Sequence, residues 1–247
     1  MRNFVTGLAA IASLAFAAPA MADPITLDSG DVGSGFTVDF DGFSGSAGNT
    51  IDGLTSSISF VLDSVTDTSY TFSYLVDNTT GDGLTSRVSS FAFNVDPDIT
   101  GATSTGDYPF SFVADGKGSD PSYPNQIGAV DVCFKAKSSG SCSNGDGVSQ
   151  GNTGSGTLTL NFGSVVDSIT LSDFFARYQG ISGAGGVTSA SGQGTISSTS
   201  TSSTSTGGTP VPAPGMLGLL ALALTTLGFM RSRSRRPSRE QAQPAFA

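Results

Sequence analysis

Thr68-Ser69-Tyr70-Thr71-Phe72-Ser73-Tyr74-Leu75-Val76-Asp77-Asn78 is the stretch on which the fold class turns. Tyr70, Phe72, Tyr74 and Val76 fall on one side of an extended chain, and Thr71, Ser73 and Leu75 on the other. Successive side chains of a strand point to opposite faces, so this alternation marks a half-buried β-strand. Asp77-Asn78-Thr79-Thr80-Gly81-Asp82-Gly83 then supplies turn chemistry. The following run, Leu84 to Val95, places Phe91, Phe93 and Val95 on one face. Together the two runs predict a β-hairpin with a connection longer than two residues.

Outward from there the same signal repeats. Strands are expected over Gly35–Phe40, Ser57–Val65, Phe110–Val113, Ile127–Ala136, Gly156–Phe162, Ser168–Leu171 and Phe174–Ile181. Clusters of Gly, Asn, Asp, Ser and Pro separate them. No sustained helical period precedes the last forty residues. Short strands, frequent turns and few helix formers predict an all-β body, an antiparallel β-sandwich of jelly-roll type. A β-helix would need a fixed repeat, and none is visible. From Gly180 to Pro210 the chain is rich in Gly, Ser and Thr and carries no charge. It holds too few apolar residues to bury, so 182–209 reads as a flexible stalk. Val187 or Ile196 marks where its earlier part could add a strand.

The two ends read as processing and anchoring segments. Arg2 precedes an apolar run from Leu8 to Ala18, followed by Ala20-Met21-Ala22 and Asp23. A positive start, a short apolar middle and an A-x-A exit are the parts of a secretory signal peptide. Residues 1–22 are therefore expected to be removed, with Ala20 and Ala22 in the peptidase pockets and Asp23 as the new N-terminus. The competing reading, a retained membrane helix, needs about 20 apolar residues, and the run is shorter. At the other end Met216 to Met230 is apolar apart from Thr225 and Thr226. As a helix it would span about 22 Å, short of the hydrocarbon thickness but able to cross by local thinning and by arginine side chains reaching the headgroups. Arg231, Arg233, Arg235, Arg236 and Arg239 follow together. Clustered arginines mark the cytoplasmic side, so the body is expected outside the inner membrane, on the periplasmic face. A buried core helix would not be apolar all round and then stop at five arginines.

Val211-Pro212-Ala213-Pro214, the apolar segment and the arginine cluster resemble the PEP-CTERM sorting signal of Gram-negative bacteria. Ala213 stands where the commonest form has Glu, and the chain continues past the arginines to Ala247. The resemblance implies recognition of the tail by a membrane protease of exosortase type. It also implies association with exopolysaccharide-making, biofilm-forming cells. It divides the chain into 1–22 signal peptide, 23–181 body, 182–209 stalk, 210–236 sorting and anchor segment, and 237–247 cytoplasmic extension. Asp131-Val132-Cys133-Phe134-Lys135-Ala136 and Leu171-Ser172-Asp173-Phe174-Phe175-Ala176-Arg177-Tyr178-Gln179 further resemble the cistern subgroup of these proteins. That likeness implies export and sorting, and no chemical activity.

Composition bounds the chemistry of the body. Its basic residues are Arg87, Lys117, Lys135, Lys137 and Arg177, against nineteen aspartates, a balance of −14 that the basic tail partly masks in the whole-chain −9. Such a body repels nucleic acid and attracts cations. The chain has no His and no Trp. Ser-His-Asp and Cys-His catalysis are thereby excluded, as are His-ligated metals. A sugar platform would have to be built from Phe and Tyr. Cys133 and Cys142, exported to an oxidising compartment, are expected to form a disulfide closing a short loop. The C-x₈-C spacing matches no redox motif, and two thiolates alone make a poor metal site.

Four residues carry a candidate cation site. Asp96 and Asp98 stand at positions one and three of a loop, Thr100 at five, Gly101 at six and Asp107 at twelve. That nearly reproduces the oxygen order of a calcium loop, although twelve is Asp rather than Glu and no flanking helices are expected. The alternative is a Pro/Asp/Gly-rich exit from a strand. Asp39 with Asp41, and Asp28 with Asp31, are carboxylate pairs of the kind that hydrolyse glycosides when they face across a cleft. Asp39 and Asp41 on one strand would share a face, only about 7 Å apart at the backbone, so both pairs read as solvated faces and turns. Arg177, beside Phe174, Phe175 and Tyr178, reads either as a ring-stacked cation or as edge protection. The functional expectation is a non-catalytic envelope or matrix protein that meets exopolysaccharide. The rivals are an aspartate-dependent hydrolase, a calcium-binding surface protein and a purely structural filler.

Overall fold

A computed structural model describes residues 24–114, 120–138, 142 and 145–200. Fourteen strands fill it. The first seven are β1 (Ile25–Asp28), β2 (Gly35–Phe43), β3 (Thr50–Thr66), β4 (Ser69–Asp77), β5 (Thr85–Asp96), β6 (Gly101–Ser104) and β7 (Phe110–Val113). Then come β8 (Ser122–Tyr123), β9 (Gly128–Ala129), β10 (Val132–Lys135), β11 (Val148–Ser149), β12 (Thr153–Asn161), β13 (Ser168–Ser182) and β14 (Ser189–Ser200). The body is all-β and every pairing is antiparallel. No α-helix occurs among the described residues. The expected signal peptide, the sorting and anchor segment and the tail extension lie outside them.

One sheet runs in the order β6-β12-β4-β3-β2-β14-β13-β5-β10-β7, with β1 added to β13 and β11 to β5. Its two halves face each other. The Phe60 ring on β3 lies 6.0 Å from Phe91 and 6.1 Å from Phe93, both on β5. Tyr74 on β4 lies 5.4 Å from Phe91, and Phe36 on β2 lies 5.7 Å from Phe174 on β13. Strands far apart along the hydrogen-bonded path can touch in this way only if the sheet folds over on itself. The terminal strands come together as well: the Ser111 hydroxyl of β7 donates to the Ala102 carbonyl of β6 at 2.5 Å. Rolling the sheet up in this way leaves short edges. Each ring buried between the halves contributes roughly 1.5–3 kcal/mol by removal from water.

The alternation in β4 holds: Tyr70, Phe72, Tyr74 and Val76 are in the core, and Leu75 is exposed. The expected hairpin does not. β4 is bonded to β3 and β12, whereas β5 is bonded to β10, β11 and β13. Residues 78–84 instead carry the chain from one half of the sheet to the other. Buried Asn78 fixes this crossing, its amide donating to the Ser86 and Val148 carbonyls at 3.3 and 2.9 Å. Alternation identifies a strand and its inward face but not its partner.

The expected stalk is corrected too. Ser189–Ser200 is β14, bonded to β13 on one side and β2 on the other. Only residues 201–209 of that segment lie beyond it, outside the described residues. The apolar surface comes from the neighbours rather than from β14 itself. A Cβ at Gly194 would meet Val38, Phe40 and Phe174, and one at Gly192 would meet Tyr178 and Phe40. The missing side chains are what admit those rings.

Ser168–Leu171 and Phe174–Ile181 are parts of one strand, β13, interrupted by a bulge. Ser172 pairs with Asn94 and Phe175 with Ala92, so β13 holds one extra residue there. Asp173 takes up the bulge at φ 51°, and its carboxylate accepts from the Asn94 amide at 3.0 Å. The bulge reverses the parity of the strand, as bulges do. Ile169 and Leu171 point into the main core, and after the bulge so do Phe174, Ala176 and Tyr178. Phe175 and Arg177 are thereby turned to the outer face, where a second, smaller core lies. Ala92, Tyr123, Val130, Cys133, Cys142 and Phe175 form it. The β8–β9 hairpin acts as a strap over this face.

Candidate functional site

Cys133, on the outer face of β10, is bonded to Cys142 with Cα atoms 6.0 Å apart. Both are wholly buried. The cross-link ties the connection after β10 down onto the second core and restricts the unfolded chain, worth about 2–3 kcal/mol for a loop of this length. The Ser90 hydroxyl, on neighbouring β5, donates to the Cys142 carbonyl and exchanges a 2.8 Å bond with the Tyr123 hydroxyl. Strap, disulfide and sheet are thus joined at Ser90.

The candidate cation residues are not brought together. Asp96 ends β5, and β6 runs through the stretch that would have been a single loop. Thr100 N–H donates to the Asn161 carbonyl, and Asp107 N–H to the Ser155 carbonyl. Six residues of extended β12 separate those anchors, about 20 Å. The Thr100 hydroxyl donates to the Asn161 carbonyl at 3.2 Å, and the Asp107 carboxylate accepts from Ser155 N–H at 2.7 Å. A strand placed between the fifth and twelfth positions is incompatible with a closed cation loop. Asp98 lines a different cleft, of about 560 Å³, with Asp120 and Asp131. Asp131 is occupied there, its carboxylate accepting from Val95 N–H at 2.8 Å. No group of three or more carboxylates or thiols suited to a metal occurs among the described residues.

The carboxylate pairs are structural or solvated. Asp39 and Asp41 point outward from β2 while Phe36, Val38 and Phe40 point in. Asp28 caps the 3-10 turn Ser29–Asp31, accepting from Gly30 N–H at 2.6 Å, and Asp31 accepts in return from Asp28 N–H at 2.9 Å. An aromatic platform for sugars is also mostly consumed by the cores. All five tyrosines are buried, and Phe110 alone among the described Phe and Tyr residues is more than about a third exposed, at 40 %.

Arg177 is the unexpected residue. It is neither ring-stacked nor at an edge, since β13 lies between β5 and β14. Only 6 % of it is exposed. Its Nη1 lies 3.4 Å from the Ser191 hydroxyl, and its Nε has no partner. Desolvation pushes the guanidinium below its ordinary value, and the neighbouring Tyr123 phenol opposes that. Lys135, two strands away in the same row through Ser90, is also pushed down by burial. Its ammonium lies 5.4 Å from the Phe112 ring centre.

Beside Arg177 a cleft of about 300 Å³ opens between strap and sheet. Phe43, Asn125, Gln126, Ile127, Phe175 and Gln193 line it. Phe175 pairs directly with Gln193, and Arg177 with Ser191, so the four occupy adjacent rows of one face. Asn125 donates to the Ser191 hydroxyl at 3.0 Å and accepts from Gly45 N–H at 3.2 Å. Asn125 and Gln126 both hold left-handed backbone, φ 62° and 68°, a conformation that costs free energy for residues with a side chain.

Sequence reasoning missed this cleft because its residues come from four separate segments, the end of β2, the strap, β13 and β14. Its one local signal is the break in alternation at Ser172-Asp173, which turns Phe175 and Arg177 outward together. No family model, curated protein or solved structure matches the chain.

Proposed function

We propose that the chain is an exported envelope or matrix protein whose β-body acts by binding rather than by catalysis. The observation that carries this reading is the closed, fully buried Cys133–Cys142 bridge. Such bridges form and persist outside the reducing cytosol, which agrees with the signal-like residues 1–22. The folded-over sheet is of jelly-roll type on this reading: β4 and β5 cross between the halves, as do β12 and β13, with β4 beside β12 and β5 beside β13. Residues 210–236 would then act as a PEP-CTERM-like sorting segment, met by an exosortase-type protease. Exopolysaccharide is the proposed environment of the released body.

The hydrolase alternative needs two free carboxylates across one cleft. It finds little support where Asp107 and Asp131 are bound to backbone N–H groups and Asp39 and Asp41 face solvent on one strand. The test is thiol alkylation of the full chain and of a chain lacking 1–22, expressed in the same bacterium. The export reading expects the full chain to resist alkylation until reduced and denatured, and the leaderless chain to carry free thiols. Equal oxidation of both, in the cytoplasm, would overturn it.

A further inference from the structure

We propose that the cleft between the β8–β9 strap and the outer face of β13 and β14 binds a carboxylate-bearing sugar, with Arg177 as its counter-charge. The inference rests on the reading of the body as a binding module and names the ligand class. A guanidinium taken out of water without a carboxylate partner is strongly unfavourable, so charged groups in protein interiors are ordinarily paired. Arg177 departs from that rule, with its single 3.4 Å approach to Ser191 and an unpartnered Nε. The β2 carboxylates on the same face, Asp39 and Asp41, lie one strand beyond β13's neighbour β14 and are exposed to solvent. Among the described residues no carboxylate pairs with the guanidinium. The Asp173 bulge is what aims it at this face.

The cleft beside it has the chemistry of a sugar site. Asn125, Gln126 and Gln193 carry amides, groups that both donate and accept as hydroxyls require, and the buried rings of Phe43 and Phe175 close the cleft from below. A cleft with three amides and two rings would suit a neutral sugar equally well. The buried cation, two hydrogen bonds behind Asn125 through Ser191, makes the preference acidic. Ser191 carries that link, meeting the Arg177 Nη1 on one side and the Asn125 amide on the other. A ligand carboxylate at the Asn125 end would sit in the field of Arg177, whose own guanidinium is shielded from water. The strained backbone of Asn125 and Gln126 at the lip is of the kind that persists at ligand-binding positions.

The test is titration of the full-length chain, disulfide closed, with oligogalacturonate and with neutral galacto-oligosaccharide of the same length, at physiological salt. The acidic oligomer is expected to bind at least about tenfold tighter than the neutral one. In Arg177→Met that preference disappears while thermal stability is kept or raised, because an unpaired buried charge is replaced by an apolar chain of similar length. Should Arg177→Met fail to fold, Gln193→Ala reads the same cleft and is expected to weaken the acidic oligomer by several-fold. Equal binding of both oligomers, or an acidic preference unchanged in Arg177→Met, overturns the assignment of Arg177. Binding of neither overturns the site, and leaves the export reading to stand or fall on thiol state and termini.

Discussion

Burial pushes the hydroxyls of Tyr70, Tyr74, Tyr108, Tyr123 and Tyr178 above their ordinary values. At Tyr70 the carboxylates of Asp28, Asp167 and Asp31 add to the effect of desolvation. At Tyr178 bonds to Ser56 (2.7 Å) and to the Phe40 carbonyl (3.2 Å) hold the neutral phenol in the core. In the unfolded chain the same groups ionise near pH 10. Folding therefore retains protons that unfolding releases. The stability this represents is present below about pH 10 and is lost as pH rises through the raised folded values. Phenolate absorbance and β-sheet circular dichroism are accordingly expected to change together, in one cooperative alkaline step. Phenolate formation near pH 10 with the sheet intact would contradict the burial of these residues. A second residue-scale expectation concerns Gly156. A Cβ there would overlap the Thr105 carbonyl oxygen and the Tyr74 hydroxyl, so Gly156→Ala should cost about 2–3 kcal/mol in denaturant unfolding. The inward faces of β4 and β5 were legible in the sequence because period two is a local property. The tightness of Gly156 was not, because Thr105 reaches it only through the β6–β12 pairing.

At the scale of elements, strands were easier to read than their neighbours. The run from Thr68 predicts β4 correctly, yet its partners are set by Asn78 and by the competition of β3 and β12 for its two edges. β14 was obscured for a different reason. Low hydrophobicity argues against order only when a segment must bury its own side chains, and β14 is ordered by hydrogen bonds to β2 and β13 and by rings that pack over its glycines. Hence a chain stopped after Val187 is expected to lose cooperative unfolding, because it leaves facing edges of β2 and β13 unpaired. A chain stopped after Ser200 is expected to unfold like the parent. Guanidinium melts of the two would decide, and a cooperative transition in the shorter chain would remove β14 from the core of the fold. The same logic explains why the Asp96 to Asp107 pattern misleads. Spacing along the chain counts as a loop only if no strand intervenes, and β6 does.

The whole molecule combines an acidic body with a concentrated set of cations. Arg87, Lys135 and Arg177 stand on β5, β10 and β13, and Lys137 follows β10, while aspartates are spread from β1 to β13. These four, the basic residues among those described, lie on or beside β5, β10 and β13, so charge, covalent cross-link and cleft adjoin one another in the described body. That arrangement suits a body held outside the cytosol, where the disulfide is stable. The all-β class and the cysteine pair could be read from the sequence. The cleft could not, since it is assembled from β2, β13, β14 and the strap only once the sheet has rolled up. The central claim, export with processing, is tested most directly by intact mass and terminal sequencing of the protein from each fraction of its native cells. The account expects a species outside the inner membrane that begins at Asp23, ends near Pro212 to Gly215, and is lighter by the two hydrogens lost in joining Cys133 to Cys142. A cytoplasmic species still beginning at Met1, with both thiols free, would contradict it.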